Sequence, residues 1–553
     1  MGPATETREY RPTSNKKIKL QPLEVADMAR FSFDMPGNLS IEEQPTMVMP
    51  VLVNLASNTG TTDYANQLRT LLRSSGIYAL ASLASPLVSL VLAPFLTHHL
   101  SHEDYGALTI ITMAVALLAG LTQLGLASAF FRSYSFDYES SKDRRGVLST
   151  LLCLLLLVSL PVVLAIVLAA PWLAALLLRN AAFSDAVRAG ALAMLMQNLT
   201  VPGFAWLRAE NRAGFFTALS ITNLLVNLGM TLVLVSILHM GIVGSLLGTG
   251  SGFAVVVLCT LPLILVRAGI RPRVDIARGL LSFGVPNVAN LVSVWVLQLS
   301  DRYLLSLFGS LAQVASYAVA YNLGGVLSVV VLAPFTLAWP SASYAIAKRD
   351  DAPQVFQLVF RWYSIVLLFA AFALSLVSTV VLDLFFPVSY RSAGAIIPII
   401  ALSTMFYGLY TIFTLGISIR RKPWFAVVFT TVSALANVAL NIVLIPRFGA
   451  MGAAISTLLA YVLLAVMAYI VNQRIYPIPF EIGTFSITCM LGLGCYIGST
   501  FLARGQGTYV AWAIFLGTLV LYGVCLLSLG ICMTRRSSSR RAGANARYAK
   551  KKA

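Results

Sequence analysis

Apolar runs of about 20 residues, long enough to carry a helix across a bilayer's hydrocarbon core, recur from residue 74 to residue 533, cut by short charged breaks. Their spacing predicts helices over 74–97, 105–131, 147–169, 187–207, 214–238 and 243–266. Six more follow over 280–304, 314–340, 357–382, 395–416, 424–445 and 452–472, then a pair at 482–502 and 508–533. The fold class that follows is an all-α polytopic membrane protein of about fourteen transmembrane helices.

Landmarks in this pattern come round twice. Gly76 matches Gly284, 208 residues later, and Gly241-Ile-Val-Gly244 matches Gly449-Ala-Met-Gly452 at the same offset. Tyr105 has its counterpart in Tyr317, 212 residues on, and Asn223 with Asn227 corresponds to Asn437 with Asn441. A six-helix unit re-enters the bilayer in the direction it first took. The repeat therefore predicts two parallel six-helix bundles around a central cavity, plus two extra C-terminal helices. The expected domains are an N-terminal arm (1–68), two bundles (69–279 and 280–473), the additional pair (474–533) and a basic tail (534–553).

Composition narrows the class. Of 553 residues, 58% are hydrophobic and only 11% charged, about half the charge of a soluble domain. The net charge of +18 could suggest nucleic acid. But Lys and Arg lie between and beyond the apolar runs, with no basic stripe interleaved with aromatics, so a nucleic-acid partner is excluded. Residues 1–68 are polar, carry Pro3, Pro12, Pro22, Pro36, Pro45 and Pro50, and lack sustained helical period. They read as a disordered cytoplasmic arm. Without a cleavable leader pattern, the first membrane helix would serve as the insertion signal.

With the N-terminus inside, the inner loops hold Arg132, Lys142, Arg144, Arg145, Arg208, Arg212, Arg267, Arg271, Arg273, Arg278, Lys348, Arg349, Arg420, Arg421, Lys422 and Arg474. The outer loops hold Arg179, Arg188, Arg391, Arg447 and Arg504. Sixteen against five places both termini on the cytoplasmic side, and the expected location is the cell (plasma or inner) membrane, multi-pass. The tail from Arg535 to Lys552 would then face anionic lipid or simply anchor the topology.

The six cysteines, Cys153, Cys259, Cys489, Cys495, Cys525 and Cys532, lie in or beside apolar segments without a paired motif. They read as buried reduced thiols, supporting neither zinc nor disulfides. His98, His99 and His102 cluster at one turn but read as a polar cap at the bilayer surface. No metal is expected.

Three stretches resemble a known family. They are Ala93-Pro94-Phe95-Leu96-Thr97 with Leu100-Ser101-x-x-Asp104-Tyr105-Gly106, Leu124-Gly125-Leu126-Ala127-Ser128-Ala129-Phe130-Phe131-Arg132, and Asp301-Arg302-Tyr303-Leu304-Leu305 with Ala315-Ser316-Tyr317-Ala318-Val319-Ala320-Tyr321. Asn437-x-x-x-Asn441-x-x-Leu444-Ile445-Pro446-x-x-Gly449 agrees. Over residues 70–475 the chain resembles the polysaccharide-biosynthesis (O-antigen) flippases, within the multidrug/oligosaccharidyl-lipid/polysaccharide exporter superfamily. The resemblance implies a flippase, not an enzyme, that moves a polyprenyl-diphosphate-linked oligosaccharide from the inner to the outer leaflet. Its partners would be the lipid-linked oligosaccharide, membrane lipids and polysaccharide polymerase or ligase proteins. The related lipid II flippases carry arginines in the central cavity. The helix expected over 74–97 has no basic residue, which favours the oligosaccharide branch.

The candidate cavity residues are Arg302, Asp301, Asn287, Asn290, Gln298, Gln123, Asn322 and Arg132. An ion at membrane depth costs several kcal/mol unless paired or wetted, so Asp301 and Arg302 should face a partner or a cavity. Neighbours on a helix point about 100° apart, so the two cannot share one target. Arg302 suits a substrate phosphate through its fork. Asp301 suits an intra-bundle partner or a proton or sodium site. Arg132, ending the second helix, could capture diphosphate or merely complement the helix end. The amides suit a sugar path, although interhelical bonding accounts for them as well. No cofactor is expected; coupling to Na+ or H+ stays open. The alternatives are a cation-coupled multidrug exporter of the same superfamily, a membrane-embedded glycosyltransferase, and a scaffold whose arm recruits synthases.

Overall fold

Charge placement decides where these helices begin. Asp275 sits in the first turn of the helix Val274–Phe308, and Glu103 and Asp104 in that of His102–Thr122, where an anion complements the helix dipole. Ser101 caps the latter helix, accepting from the Asp104 amide at 3.1 Å, which satisfies one orphan donor. The charged first turn carries 280–304 out to Val274–Phe308, while 357–382 extends to Ala352–Phe385 from a proline in its first turn.

The computed structural model describes residues 89–552 apart from Glu139, Asp350, Arg421 and Pro423, without the side chains of 286, 287, 289–291, 338, 341, 345 and 532–552. The expected arm (1–68) and most of the first expected helix lie outside the described residues. After a helical stretch at 89–99, the helices run His102–Thr122, Leu126–Arg132, Ser141–Leu168, Ala170–Leu178, Ser184–Ala209, Ala213–Leu232 and Gly241–Ala268. Val274–Phe308, Leu311–Gly324, Ala333–Ala347, Ala352–Phe385, Ile397–Phe413, Leu415–Ile419, Trp424–Ile475, Ile482–Ala503 and Thr508–Lys552 follow. The described residues are nearly all helical. The short helix Ala170–Leu178 was not expected from the sequence. Thr508–Lys552 continues into the basic tail, whose Ala, Arg and Lys are good helix formers.

Among the described residues, ten helical stretches are long and apolar enough to cross a membrane. One of them, Trp424–Ile475, is two helices meeting at Gly449, whose φ of 55° and ψ of −133° break the helical run. Ser184–Ala209 and Val274–Phe308 stand outside the ten, and both carry charged and amide side chains. The figure of fourteen is an expectation from run length, not a count made on the structure.

The repeat has a local echo. Gly241 and Gly449 both take a φ of 55° at corresponding turns. Below them, Thr249 donates to Asn227 in the first half at 3.4 Å. Thr457, placed 208 residues further on, donates instead to Asp301 at 3.3 Å.

Segments from both halves meet at two backbone crossings. At Gly106 a Cβ would overlap the Leu311 carbonyl. Further along, the chain bends at Leu124 and Gly125, with φ of 48° and 65°. There a Cβ on Gly125 would lie 2.7 Å from the Gly284 carbonyl oxygen, so only glycine fits both the φ and the space. Around the first crossing, Leu96, Leu108, Ile111, Val314, Ala315 and Tyr317 form one buried apolar cluster. Near the second, Arg273 pairs with Asp143 at 2.6 Å and with Asp275 at 2.7 Å.

The additional pair is fastened by charge. Glu481, just before Ile482–Ala503, accepts from Arg361 through both oxygens and from Gln357 at 2.9 Å. The Arg361 side chain is 5% exposed. Tyr522 of the last helix donates to the Thr488 carbonyl at 2.9 Å, joining the pair to each other.

Candidate functional site

Asp301 and Arg302 lie in the last two turns of Val274–Phe308 and face different neighbours. Asp301 is 1% exposed. One carboxylate oxygen accepts from the Tyr317 hydroxyl at 2.5 Å and the Thr457 hydroxyl at 3.3 Å, the other from the Arg302 amide at 2.8 Å. Three helices of the second half thus converge on one carboxylate.

Arg302 turns toward the first half. Its Nη1 lies 3.5 Å from Met113 Sδ on His102–Thr122, and its guanidinium covers the Tyr321 ring at 4.1 Å. The side chain is 6% exposed, and its Nε has no hydrogen-bond partner. Among the described residues no carboxylate within 4.0 Å pairs with it, although eight other such pairs form. A methionine sulfur and an aromatic face solvate a cation weakly. The site is therefore a buried cation with donors to spare, at a junction of the halves.

Asn322 lies at the same junction, its amide donating to the Tyr105 hydroxyl across the halves at 3.4 Å. Gln298 is partly buried and stands one turn before Arg302, which puts both on one helix face. Asn287 and Asn290 belong to the same helix, but their side chains are outside the described set. Gln123 is engaged elsewhere. It donates to Asn198 at 3.0 Å, and Asn198 donates to Thr122 at 2.8 Å and Ser159 at 2.9 Å, a network within the first half. Arg132 is exposed at the opposite end, 5.0 Å over the Phe283 ring and 4.0 Å from Asp137. The structure thus gathers Asp301, Arg302, Gln298 and Asn322, and sets Gln123 and Arg132 apart.

Beside Asp301 lies a polar pair. Asn437 and Asn441 are both fully buried, with Asn441 donating to Asn437 at 3.0 Å and Ser300 donating to the same oxygen at 3.1 Å. Asn437 Nδ2 and Asn441 Oδ1 remain without partners, leaving one donor and one acceptor available. Among the described residues no group of three or more His, Cys, Asp and Glu could hold a metal ion. His98 and His99 contact the Pro94 and Phe95 carbonyls at 2.8 and 2.9 Å, while His102 stacks on Tyr390 at 3.9 Å.

Tyr317, Thr457, Met113 and Tyr321 were not singled out for this role from the sequence. Tyr317 carried a signal as a repeat landmark, and Thr457 as the mate of Thr249. Met113 carried none.

Residues 71–343 match the family described as polysaccharide biosynthesis protein, which shows the resemblance read from the three motif stretches, all of which lie within that span. An uncharacterized membrane protein of Methanocaldococcus jannaschii is 24% identical over 258 residues, 46% of this chain and 50% of that protein. A probable low-salt glycan biosynthesis flippase of Haloferax volcanii is 21% identical over 264 residues, 46% of this chain and 56% of that protein. The chain thus spans about half the length of the curated relatives it matches. Among solved structures, the lipid II flippase MurJ in an inward closed conformation superposes with a TM-score of 0.66 at 14% identity, covering 81% of this chain and 98% of that one. An inward-facing multidrug resistance MATE transporter of the MOP superfamily gives 0.58 at 13% identity, covering 71% and 94%. The fold is that of these multi-pass transporters.

Proposed function

Proceeding from the likeness of residues 71–343 to polysaccharide biosynthesis proteins, we propose that the chain is a flippase. It translocates a polyprenyl-diphosphate-linked oligosaccharide from the inner to the outer leaflet by alternating access, for cell-surface polysaccharide synthesis. The observation that carries this is Arg302, a buried guanidinium between the halves with no carboxylate partner among the described residues. Its natural counter-ion is an anionic group entering from outside the protein, and a diphosphate presents oxygens that fit the fork. Gln298, on the same face, supplies a neutral donor and acceptor for the first sugar.

Asp301 is the coupling element. Its carboxylate, with the Tyr317 and Thr457 hydroxyls, offers oxygen ligands to Na+ or an acceptor for H+. Filling or emptying it alters the packing of three helices of the second half.

The likeness in fold to the MATE transporter supports a second reading, a cation-coupled exporter of amphipathic drugs. Vesicles separate the two. Full-length protein is reconstituted with a labelled polyprenyl-diphosphate oligosaccharide, and its accessibility in each leaflet is followed with and without a Na+ or pH gradient. The flippase reading expects equilibration faster than in empty vesicles and a fall to background for Arg302→Ala at equal protein content. No acceleration under any gradient overturns it, and gradient-driven movement of a cationic dye alone supports the exporter.

A further inference from the structure

At the end of the molecule where Val274–Phe308 finishes and Leu311–Gly324 begins, a cavity of about 680 Å3 opens beside Gly309 and Gly449. Arg302 and Asp301 do not line it. Its size suits an extended small ligand, and its wall is mixed: Phe308, Ile396, Ile445 and Met451 form an apolar side, and among the described residues no metal-ligand group faces it. Gln313, Ser316 and Ser392 present amide and hydroxyl groups, His102 adds an imidazole, Phe448 an aromatic surface and Arg447 a cation.

Several of these groups have hydrogen-bonding capacity to spare. The Gln313 side chain has no hydrogen-bond partner among the described residues. It is held in place by shape: a Cβ on Gly449 would stand 3.2 Å from its Oε1, and one on Gly309 would collide with the same atom. Ser392 donates to Ser316 at 3.3 Å, and Ser316 lies 3.4 Å from His102 Nε2. These contacts are long enough to yield to a better partner. Arg447 is exposed and has no carboxylate within 4.0 Å among the described residues. Neutral donors and acceptors beside an apolar and aromatic side, with a single cation at the rim, match a sugar, which has an apolar ring face and hydroxylated edges, bearing one carboxylate.

We propose that this cavity is a second, separate subsite that binds the glycan portion of the substrate, specifically an oligosaccharide carrying an acidic sugar, with its carboxylate on Arg447 and its hydroxyls on Gln313, Ser316 and Ser392. The proposal rests on the flippase reading for the origin of the ligand, but not for its recognition. By the charge-based topology the subsite faces outside, where a flipped headgroup would emerge.

A water-soluble glycan tests recognition without any translocation. Purified full-length protein in detergent is titrated by calorimetry with tetragalacturonate and, separately, with maltotetraose. Tetragalacturonate binds the more tightly. Arg447→Gln weakens it about ten- to a hundredfold, the scale of a lost charge-assisted hydrogen bond, and leaves maltotetraose unchanged. Gln313→Leu weakens both sugars about three- to tenfold. Arg504→Gln, an exposed cation elsewhere, changes neither. Absence of heat with both sugars overturns the proposal, as does equal affinity for the two or an Arg447→Gln effect no larger than that of Arg504→Gln. Because Arg447 is exposed, its variant keeps the parent's melting temperature, so lost binding cannot be lost folding. Binding without flipping in vesicles would refute the transport reading and leave the subsite standing.

Discussion

Replacing Gly106 with alanine should loosen one end of the molecule and not the other. The helix His102–Thr122 runs so close to Leu311 that the new Cβ would fall on its backbone carbonyl. A backbone carbonyl at a helix start cannot rotate aside as a side chain can. Overpacking of this kind costs about 1–3 kcal/mol. The gain in helix propensity from Gly to Ala is common to every conformation and cancels. At about 1.4 kcal/mol per tenfold, the equilibrium between closed and open forms of this end shifts about five- to a hundredfold toward open. Asn322, which bonds to Tyr105 across the same contact, reports the opening when changed to cysteine. A membrane-impermeant maleimide should label Asn322→Cys faster by that factor when Gly106→Ala is added, after subtraction of labelling at the native thiols. An unchanged rate, in a variant with the parent's melting temperature, would refute the argument that backbone contact at Gly106 seals this end.

Three further outcomes follow from other contacts. Glu481→Ala leaves the buried Arg361 guanidinium without the carboxylate it bonds through both oxygens, so thermal stability in detergent should fall by about 3–5 kcal/mol; the double variant Arg361→Met, Glu481→Leu should recover most of it. Tyr317→Phe removes a donor from Asp301 and should change the Na+ or pH dependence of transport at unchanged protein level; an identical ion dependence would separate Asp301 from coupling. The hydrogen bond from Arg273 holds the Asp275 carboxyl below its usual range. That stabilisation is present above the unfolded pKa, about 4, and is lost as pH falls through the folded value. Melting temperature of Arg273→Gln should therefore fall behind the parent near neutrality and converge on it as pH drops through the lowered folded value.

Periodic apolar length made the helices legible, because a bilayer imposes it on every crossing segment. Their ends were less legible. Asp275 and Glu103 belong to helices yet lie outside the apolar runs, so hydropathy stops short of them. The seam at Gly449 was visible as a repeat landmark, whereas Ala170–Leu178 merged with the apolar run before it. At the site, adjacency fixed that Asp301 and Arg302 diverge, but not where each points. Asp301's partners are 16 and 156 residues away, and Met113 is 189 residues from Arg302. Such contacts are set by how whole helices dock, which a local pattern does not encode. The Gln123 amide illustrates the same limit from the other side, since its partner Asn198 is 75 residues distant.

The mismatch between Thr249 and Thr457 bears on how a voltage could act on this molecule. Among the described residues, the buried ionisable side chains of aspartate and arginine type are Asp301, Arg302 and Arg361, all in the second half. The described residues of the first half bury only neutral polar groups such as Asn198, Thr231 and Ser245. An electric field exerts force on charge, about 2.3 kcal/mol per elementary charge moved through 100 mV. Arg361 is cancelled by Glu481 and Arg302 by the neighbouring Asp301 carboxylate, so a membrane potential would gain a net charge to pull on in this half only when a proton or a bound cation neutralises Asp301.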